Sequence, residues 1–345
     1  MVGRPDIESV IVPAERSLGY KNWIATGSNI LKEALPFEGP ADFAITLGTG
    51  LGPIAKKISF TRSVTIPYEH AGLPVGQVEG HKKEIIGGLA YGGKKIILIN
   101  GRTHAYEIPE EGIETETWGK LSRMELATGY LAMLAEVGVE NMVLMSAAGG
   151  INHPLHSDQP KPFNQEDLPV IGLIASDLNL AYPSPQMGPY GGFSMSRFVN
   201  LKDADPELQA AFKRSMKAVS PKTTVPDLHY VTSPSTPSFE DPAVIYTVAK
   251  LGGQVVGMSF SYEKEYLSGV DETKIPRFLG IALVTNPQEL VDDFAVEPIS
   301  VDSLQSYYPH QLKLKAQANH EEVQKYGARA ADTLGKALVH FVKHV

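Results

Sequence analysis

No cysteine occurs among the 345 residues. This excludes disulfides, thiolate catalysis and cysteine-ligated metals, and is compatible with an intracellular setting. Apolar runs long enough to cross a bilayer are also missing, and Arg4, Asp6 and Glu8 interrupt the N-terminus where a signal peptide would carry its apolar core. The expected location is the cytoplasm, with no membrane partner. Excess positive charge is lacking as well: 31 Lys and Arg against 39 Asp and Glu leave a net charge of −8. That argues against general nucleic-acid binding and leaves room only for a local basic pocket.

What is present is an ordinary globular composition, 43% hydrophobic and 20% charged, with 32 glycines and 25 prolines. The length suffices for one large domain or two modest ones. Strand-like and helix-like segments interleave throughout, so one α/β domain is expected: a twisted mixed β-sheet flanked by helices. Residues 1–40 read as a covering segment ahead of a domain at 41–345.

The organising stretch runs from Lys94 to Gly150. Lys94–Asn100 and Val139–Met145 read as two buried parallel strands, joined by an amphipathic helix over Thr117–Val137 that Gly138 ends. They lead into Gly101-Arg102-Thr103-His104-Ala105-Tyr106-Glu107 and Ser146-Ala147-Ala148-Gly149-Gly150. Open α/β folds bind ligands at such strand ends. The guanidinium fork of Arg102 suits a tetrahedral oxyanion.

Upstream, the β-prone Phe43–Leu47 meets Gly48-Thr49-Gly50-Leu51-Gly52. This spacing allows a tight turn whose N–H groups could cradle an anion, and a purely structural turn is the other reading. A dinucleotide fingerprint is excluded, because only Leu51 separates the second and third glycines. Residues 66–81 read as a loop holding His70 and His81; Gly87-Gly88 and Gly92-Gly93 read as hairpin turns.

Downstream, His153, His156 and Asp158 raise a metal site, but Pro154 and the carboxylate spacing speak against it, and no metal is expected. Pro206–Ala218 reads as a helix and Leu228–Thr232 as a strand. Ser238 with Asp241 resembles a capping box for a helix over Ala243–Leu251, with Pro242 near its first turn. Glu240 is then either a first-turn acid or, with Phe239, a holder for a flat hydrogen-bonding ring. Gln254–Met258 and Phe278–Val284 read as buried strands ending at Ser259 and at Thr285-Asn286. A helix is expected from about Leu314 to the C-terminus.

Eight segments, each at a strand end or turn, occur in an order that resembles a known family: Gly48–Gly52, Val78–His81, Asn100–Glu107, Ser146–Gly150, Pro237–Glu240, Val256–Ser259, Thr285-Asn286 and Asn319–Val323. The resemblance, over residues 41–342, is to the trimeric class of purine nucleoside phosphorylases, which shares its fold with methylthioadenosine phosphorylases. It implies phosphate between Thr49, Arg102, His104, Ala147 and Ser259, with His81 closing over it. It implies Tyr106, Met258 and His320 on the sugar, and Phe239, Glu240 and Asn286 on the base. Glu240 would accept the N1–H of a 6-oxopurine, and Asn286 would bond near N7 and the 6-oxo group. Phosphorolysis of inosine or guanosine follows, with inorganic phosphate as co-substrate, no organic cofactor, and a homotrimer in which a neighbour lends Phe163, Tyr182 or Tyr190.

The chain departs from the family at Thr49, usually serine, at Ser146, usually asparagine, and at Pro287, usually lysine. Proline biases Asn286 towards extended geometry. The 181–193 and 287–318 segments are also long. A methylthioadenosine phosphorylase is the nearest rival, and Asn286, Glu240 and His320 argue against it. A catalytically silent nucleoside binder is the rival from another class, and its signature would be a broken phosphate site.

Overall fold

The computed structural model describes residues 14–78, 81–152, 163–183, 203–269, 276–290, 314–316 and 320–345. Its central strand is β7 (Asn141–Asn152), nearly all buried. Near its start, Asn141–Leu144 pair in parallel with β1 (Phe43–Leu47). Beyond the end of β1, Gly149 and Gly150 pair instead with β10 (Val255–Gly257). Along its other edge β7 pairs in parallel with β11 (Arg277–Leu290). One strand thus belongs to two groups, and β1 and β10 diverge where the first gives way to the second.

On the β1 side the sheet continues through β4 (Lys94–Asn100), β3 (Glu84–Ala90) and β2 (Phe60–Pro67). On the other side β11 pairs with β8 (Val170–Asn179), β8 with β9 (Asp227–Thr232), and β9 with β10. Because β10 returns to β7, these five strands close on themselves. The fold is the expected mixed sheet with flanking helices, and the closure brings the ends of β7, β9 and β10 together with the middle of β11.

Lys94–Asn100 and β7 are parallel, but β1 lies between them. Its five residues are all buried, which suits a central parallel strand. The helix expected from Thr117 begins later, as α2 (Arg123–Val137), because a hairpin of β5 (Ile113–Thr115) and β6 (Gly119–Leu121) takes the preceding residues. Ser122 and Glu125 then form a capping box. Gly138, at φ 87°, ends α2. The helix is buried nearly all round rather than amphipathic, since α1 (Ala14–Ala34) covers its outer side and Trp23 presses on Gly129.

Residues 66–71 are not loop: Ile66 and Pro67 end β2, and a 3-10 turn spans Tyr68–Ala71. Gly87-Gly88 lie inside β3, where Leu35 and Phe60 pack on them; only Gly92-Gly93 form a turn. Pro206 opens α3 (Pro206–Val219), capped by Asp205. The cap of α4 (Pro242–Lys250) is Asp241, whose Oδ1 accepts from the Val244 N–H at 2.9 Å, so Ser238 is not the cap. α5 (Phe260–Gly269) follows Ser259. β11 does not stop at Asn286 but runs on to Leu290, with a register shift between Val284 and Asn286. Leu314–Ala316 form β12 against β11, so the last helix, α6 (His320–His344), starts later than expected.

Candidate active site

Where β1 and β10 diverge, the chain encloses a cavity of about 320 Å³. Eleven of the twelve residues singled out in the sequence line it; His81 instead stands behind Thr49. Gly48 permits this arrangement, because a Cβ there would lie 2.9 Å from the Met145 carbonyl. Gly50, at φ 77°, meets Gly327 of α6 equally closely, with 3.1 Å between its Cβ position and the Gly327 Cα.

One end of the cavity is built around Arg102, which is 1% exposed. Its Nη1 donates to Ser259 Oγ at 2.9 Å and to Glu263 Oε2 at 2.6 Å, and its Nη2 donates to the Met145 carbonyl. Burial works against the guanidinium charge, but Glu263 opposes it and holds the group protonated. Burial likewise raises the Glu263 carboxyl, while Arg102 and the Tyr130 hydroxyl, 2.7 Å from Oε1, pull it back. The pair is ionised, because its two charges are the main thing each has to offset burial.

His81 connects the glycine turn to the arginine. Its Nδ1 donates to the Arg102 carbonyl at 2.9 Å, which leaves Nε2 to accept from the Thr49 hydroxyl at 3.1 Å. Lys83 Nζ donates to the same carbonyl at 2.5 Å and lies 3.4 Å from Glu107. Burial first, and the charge of Lys83 second, lower the His81 imidazole to about 4. His104 is 5.4 Å from His81 and stacks at 4.9 Å on Tyr106. Burial and its charged neighbours hold it well below the ordinary range. Both rings are neutral near pH 7. Glu107 fixes this loop by accepting from the His104 and Val78 N–H groups at 2.7 and 2.9 Å.

The other end is built on β11 and the turn before α4. Asn286 Oδ1 accepts from the Thr285 hydroxyl at 3.0 Å. Gln288, two residues on and therefore on the same face of the strand, lies beside it over Gly149. Gln288 Nε2 donates to Glu240 Oε2 at 2.8 Å, and all three polar side chains are buried. Phe239 is 37% exposed at the rim, Met258 lines the wall, and His320, first residue of α6, accepts from Gln324 at 2.9 Å.

Four buried polar atoms of lining residues have no partner among the described residues: Arg102 Nε and His104 Nδ1 at one end, Asn286 Nδ2 and Gln288 Oε1 at the other. Each such atom costs roughly 1–3 kcal/mol if left unpaired. The cavity is built for a ligand that is polar at both ends.

Sequence reasoning passed over Glu263, Gln288 and Lys83; Ser146, read there as a departure from asparagine, has its hydroxyl 3.2 Å from Tyr230 and 3.3 Å from Ser259. A strand read two residues past Asn286 would have exposed Gln288. Phe163 is 1% exposed in the core of its own chain, against Gly150, and so has no ring to lend a neighbour. Tyr182 packs edge-on against Tyr262, at 5.4 Å. His153, His156, Asp158 and Tyr190 lie outside the described residues.

No family model matches the chain. It is 30% identical over 313 residues to a putative purine nucleoside phosphorylase of Schizosaccharomyces pombe, covering 87% of this chain and 86% of that one. It is 27% identical over 291 residues to purine nucleoside phosphorylase 1 of Bacillus subtilis, covering 82% and 91%. Among solved structures, Schistosoma mansoni purine nucleoside phosphorylase in complex with adenosine shares the fold, with a TM-score of 0.66 at 22% identity over 94% of this chain and 97% of that one.

Proposed function

Because the chain belongs to the purine nucleoside phosphorylase family, which are pentosyltransferases, we propose that it cleaves 6-oxopurine nucleosides, inosine and guanosine, with inorganic phosphate. The products are the free base and ribose 1-phosphate. The unpaired polar atoms at the two ends of one cavity carry this reading. An anion answers the donors at the arginine end, and a purine edge answers the amides at the other.

Phosphate lies between the Thr49 turn, Arg102, His104, the Ala147 N–H and Ser259, with His81 behind Thr49. Glu263 already balances the charge of Arg102, so the guanidinium acts as a positioned donor more than as a free cation. Tyr106, Met258 and His320 hold the ribose over the anion. As the C1′–N9 bond breaks, its electrons pass to the purine and positive charge grows on the sugar. The phosphate stabilises that charge and then bonds to C1′. Asn286 Nδ2 donates to N7, more strongly as the base becomes anionic, which is where a donor lowers the barrier. The Thr285 hydroxyl on Oδ1 turns the donor side of the amide towards the cavity. Glu240 receives N1–H on the oxygen that Gln288 leaves free, and Phe239 covers the ring.

The same reading takes the enzyme as a homotrimer acting in the cytoplasm without organic cofactor or metal. Tyr182 is the described aromatic left to serve a neighbour. The test is steady-state turnover at saturating phosphate. Inosine and guanosine are expected to exceed methylthioadenosine in kcat/KM by about tenfold or more, the cost of one misplaced hydrogen bond. Preference for methylthioadenosine overturns the assignments of Glu240 and His320.

A further inference from the structure

We propose that Gln288 reads the substituent at purine C6, and that its side-chain carbonyl admits a 6-amino group, so that adenosine is a second substrate. The inference rests on the base end of the cavity being a purine site.

Three observations lead to it. Gln288 Nε2 is 2.8 Å from Glu240 Oε2, both residues being at most 3% exposed. An ionised carboxylate accepts only, so it dictates which way the amide faces: the NH2 goes to Glu240 and the oxygen goes elsewhere. That oxygen, Oε1, has no partner among the described residues. The amide also sits beside Asn286, since a Cβ on Gly149 would meet Gln288 Nε2 at 2.6 Å and Asn286 Nδ2 at 3.3 Å. Gln288 therefore bridges the asparagine that faces N7 and the glutamate that faces N1. The purine atom between N7 and N1 is the C6 substituent.

The consequence is an opposition within one wall. Glu240 favours a ring with a proton on N1, as in a 6-oxopurine. Gln288 Oε1 favours a donor on C6, as in a 6-aminopurine. An oxo group opposite Oε1 has to be met by the second N–H of the same amide, whereas an amino group pairs with the oxygen where it stands. The two residues set a ratio of activities rather than an absolute choice.

The test compares kcat/KM for adenosine and inosine in the wild type and in Gln288→Lys. Lysine keeps a donor for Glu240 and removes the acceptor. The wild type is expected to cleave both nucleosides, and Gln288→Lys to lower the adenosine-to-inosine ratio about tenfold or more, the loss of one buried hydrogen bond. A ratio unchanged in Gln288→Lys, or a wild type that cleaves inosine but neither cleaves adenosine nor binds adenine, overturns the inference and leaves the reading of the site intact. Binding of adenine and hypoxanthine by calorimetry decides the matter independently of turnover. Selective loss of adenine in Gln288→Lys and Gln288→Leu, both checked for a wild-type circular dichroism spectrum, supports the inference. Equal loss of both bases contradicts it. Absence of phosphate-dependent cleavage of any purine nucleoside removes the catalytic reading instead.

Discussion

Arg102 Nη1 lies 2.6 Å from Glu263 Oε2, with both side chains cut off from solvent. The arginine of the expected anion site is thus held by an acid from the first turn of α5, and the Met145 carbonyl and Ser259 hydroxyl take up its terminal nitrogens as well. An arginine tethered this way cannot swing to follow a ligand, so its geometry is set before anything binds. Such preorganisation is where positioned donors gain most.

Replacing Glu263 with glutamine keeps the shape but leaves a buried guanidinium charge uncompensated. Glu263→Gln is expected to lose about 3 kcal/mol or more of stability. Denaturant titration measures this. The phosphate KM should rise in the same variant while the inosine KM changes little. Wild-type stability together with a wild-type phosphate KM would remove Glu263 from the account.

Asn286 is assigned a bond that strengthens as the base departs. Asn286→Ala should therefore lower kcat about 100-fold with the phosphate KM nearly unchanged. A variant with altered KM and full kcat would show that the residue binds ground state and transition state alike.

How much of this was legible in the sequence depends on what each residue had to do locally. Gly50 and Gly138 mark turns because their left-handed backbones demand it, and Gly48 because the Met145 carbonyl leaves no room for a Cβ; those positions were readable. The segments carrying Arg102, His104, Glu240 and Ser259 were found for the same reason, as polar ends of apolar runs. Gln288 was not, because Thr285-Asn286-Pro287 reads as a strand end; the structure instead continues β11 through a register shift, and pairing with β7 overrides the local signal. Glu263 was invisible for another reason. An acid in the first turn of a helix has an ordinary explanation in the helix dipole. Its partner is 161 positions away in the chain.

Gly149 tests the base wall without replacing any of its polar side chains. In Gly149→Ala the new methyl would sit 2.6 Å from Gln288 Nε2, the movable end of a side chain. The fold is expected to survive with a loss of about 1 kcal/mol. The nucleoside KM should rise and the phosphate KM stay near its wild-type value, as initial rates against each substrate will show. A selective rise in the phosphate KM would place Gln288 and Asn286 at the wrong end of the cavity.

The two neutral histidines predict a pH dependence of folding. His81 falls from 6.5 to about 4 in the folded chain, chiefly by burial, and His104 is lowered as well. Between these values the unfolded chain holds more protons than the folded one, so stability rises with pH from about 4 to 6.5 and this contribution levels off above 7. His81→Asn and His104→Asn should each flatten the slope in that window. Slopes equal to the wild type would mean that neither ring is held neutral.

The central claim is that the cavity brings phosphate to a nucleoside, and phosphorus NMR of the reaction with inosine tests it most directly. Hypoxanthine should appear only when phosphate is present, with one ribose 1-phosphate formed for each base released. Hypoxanthine released without phosphate, with free ribose as the other product, would contradict the account.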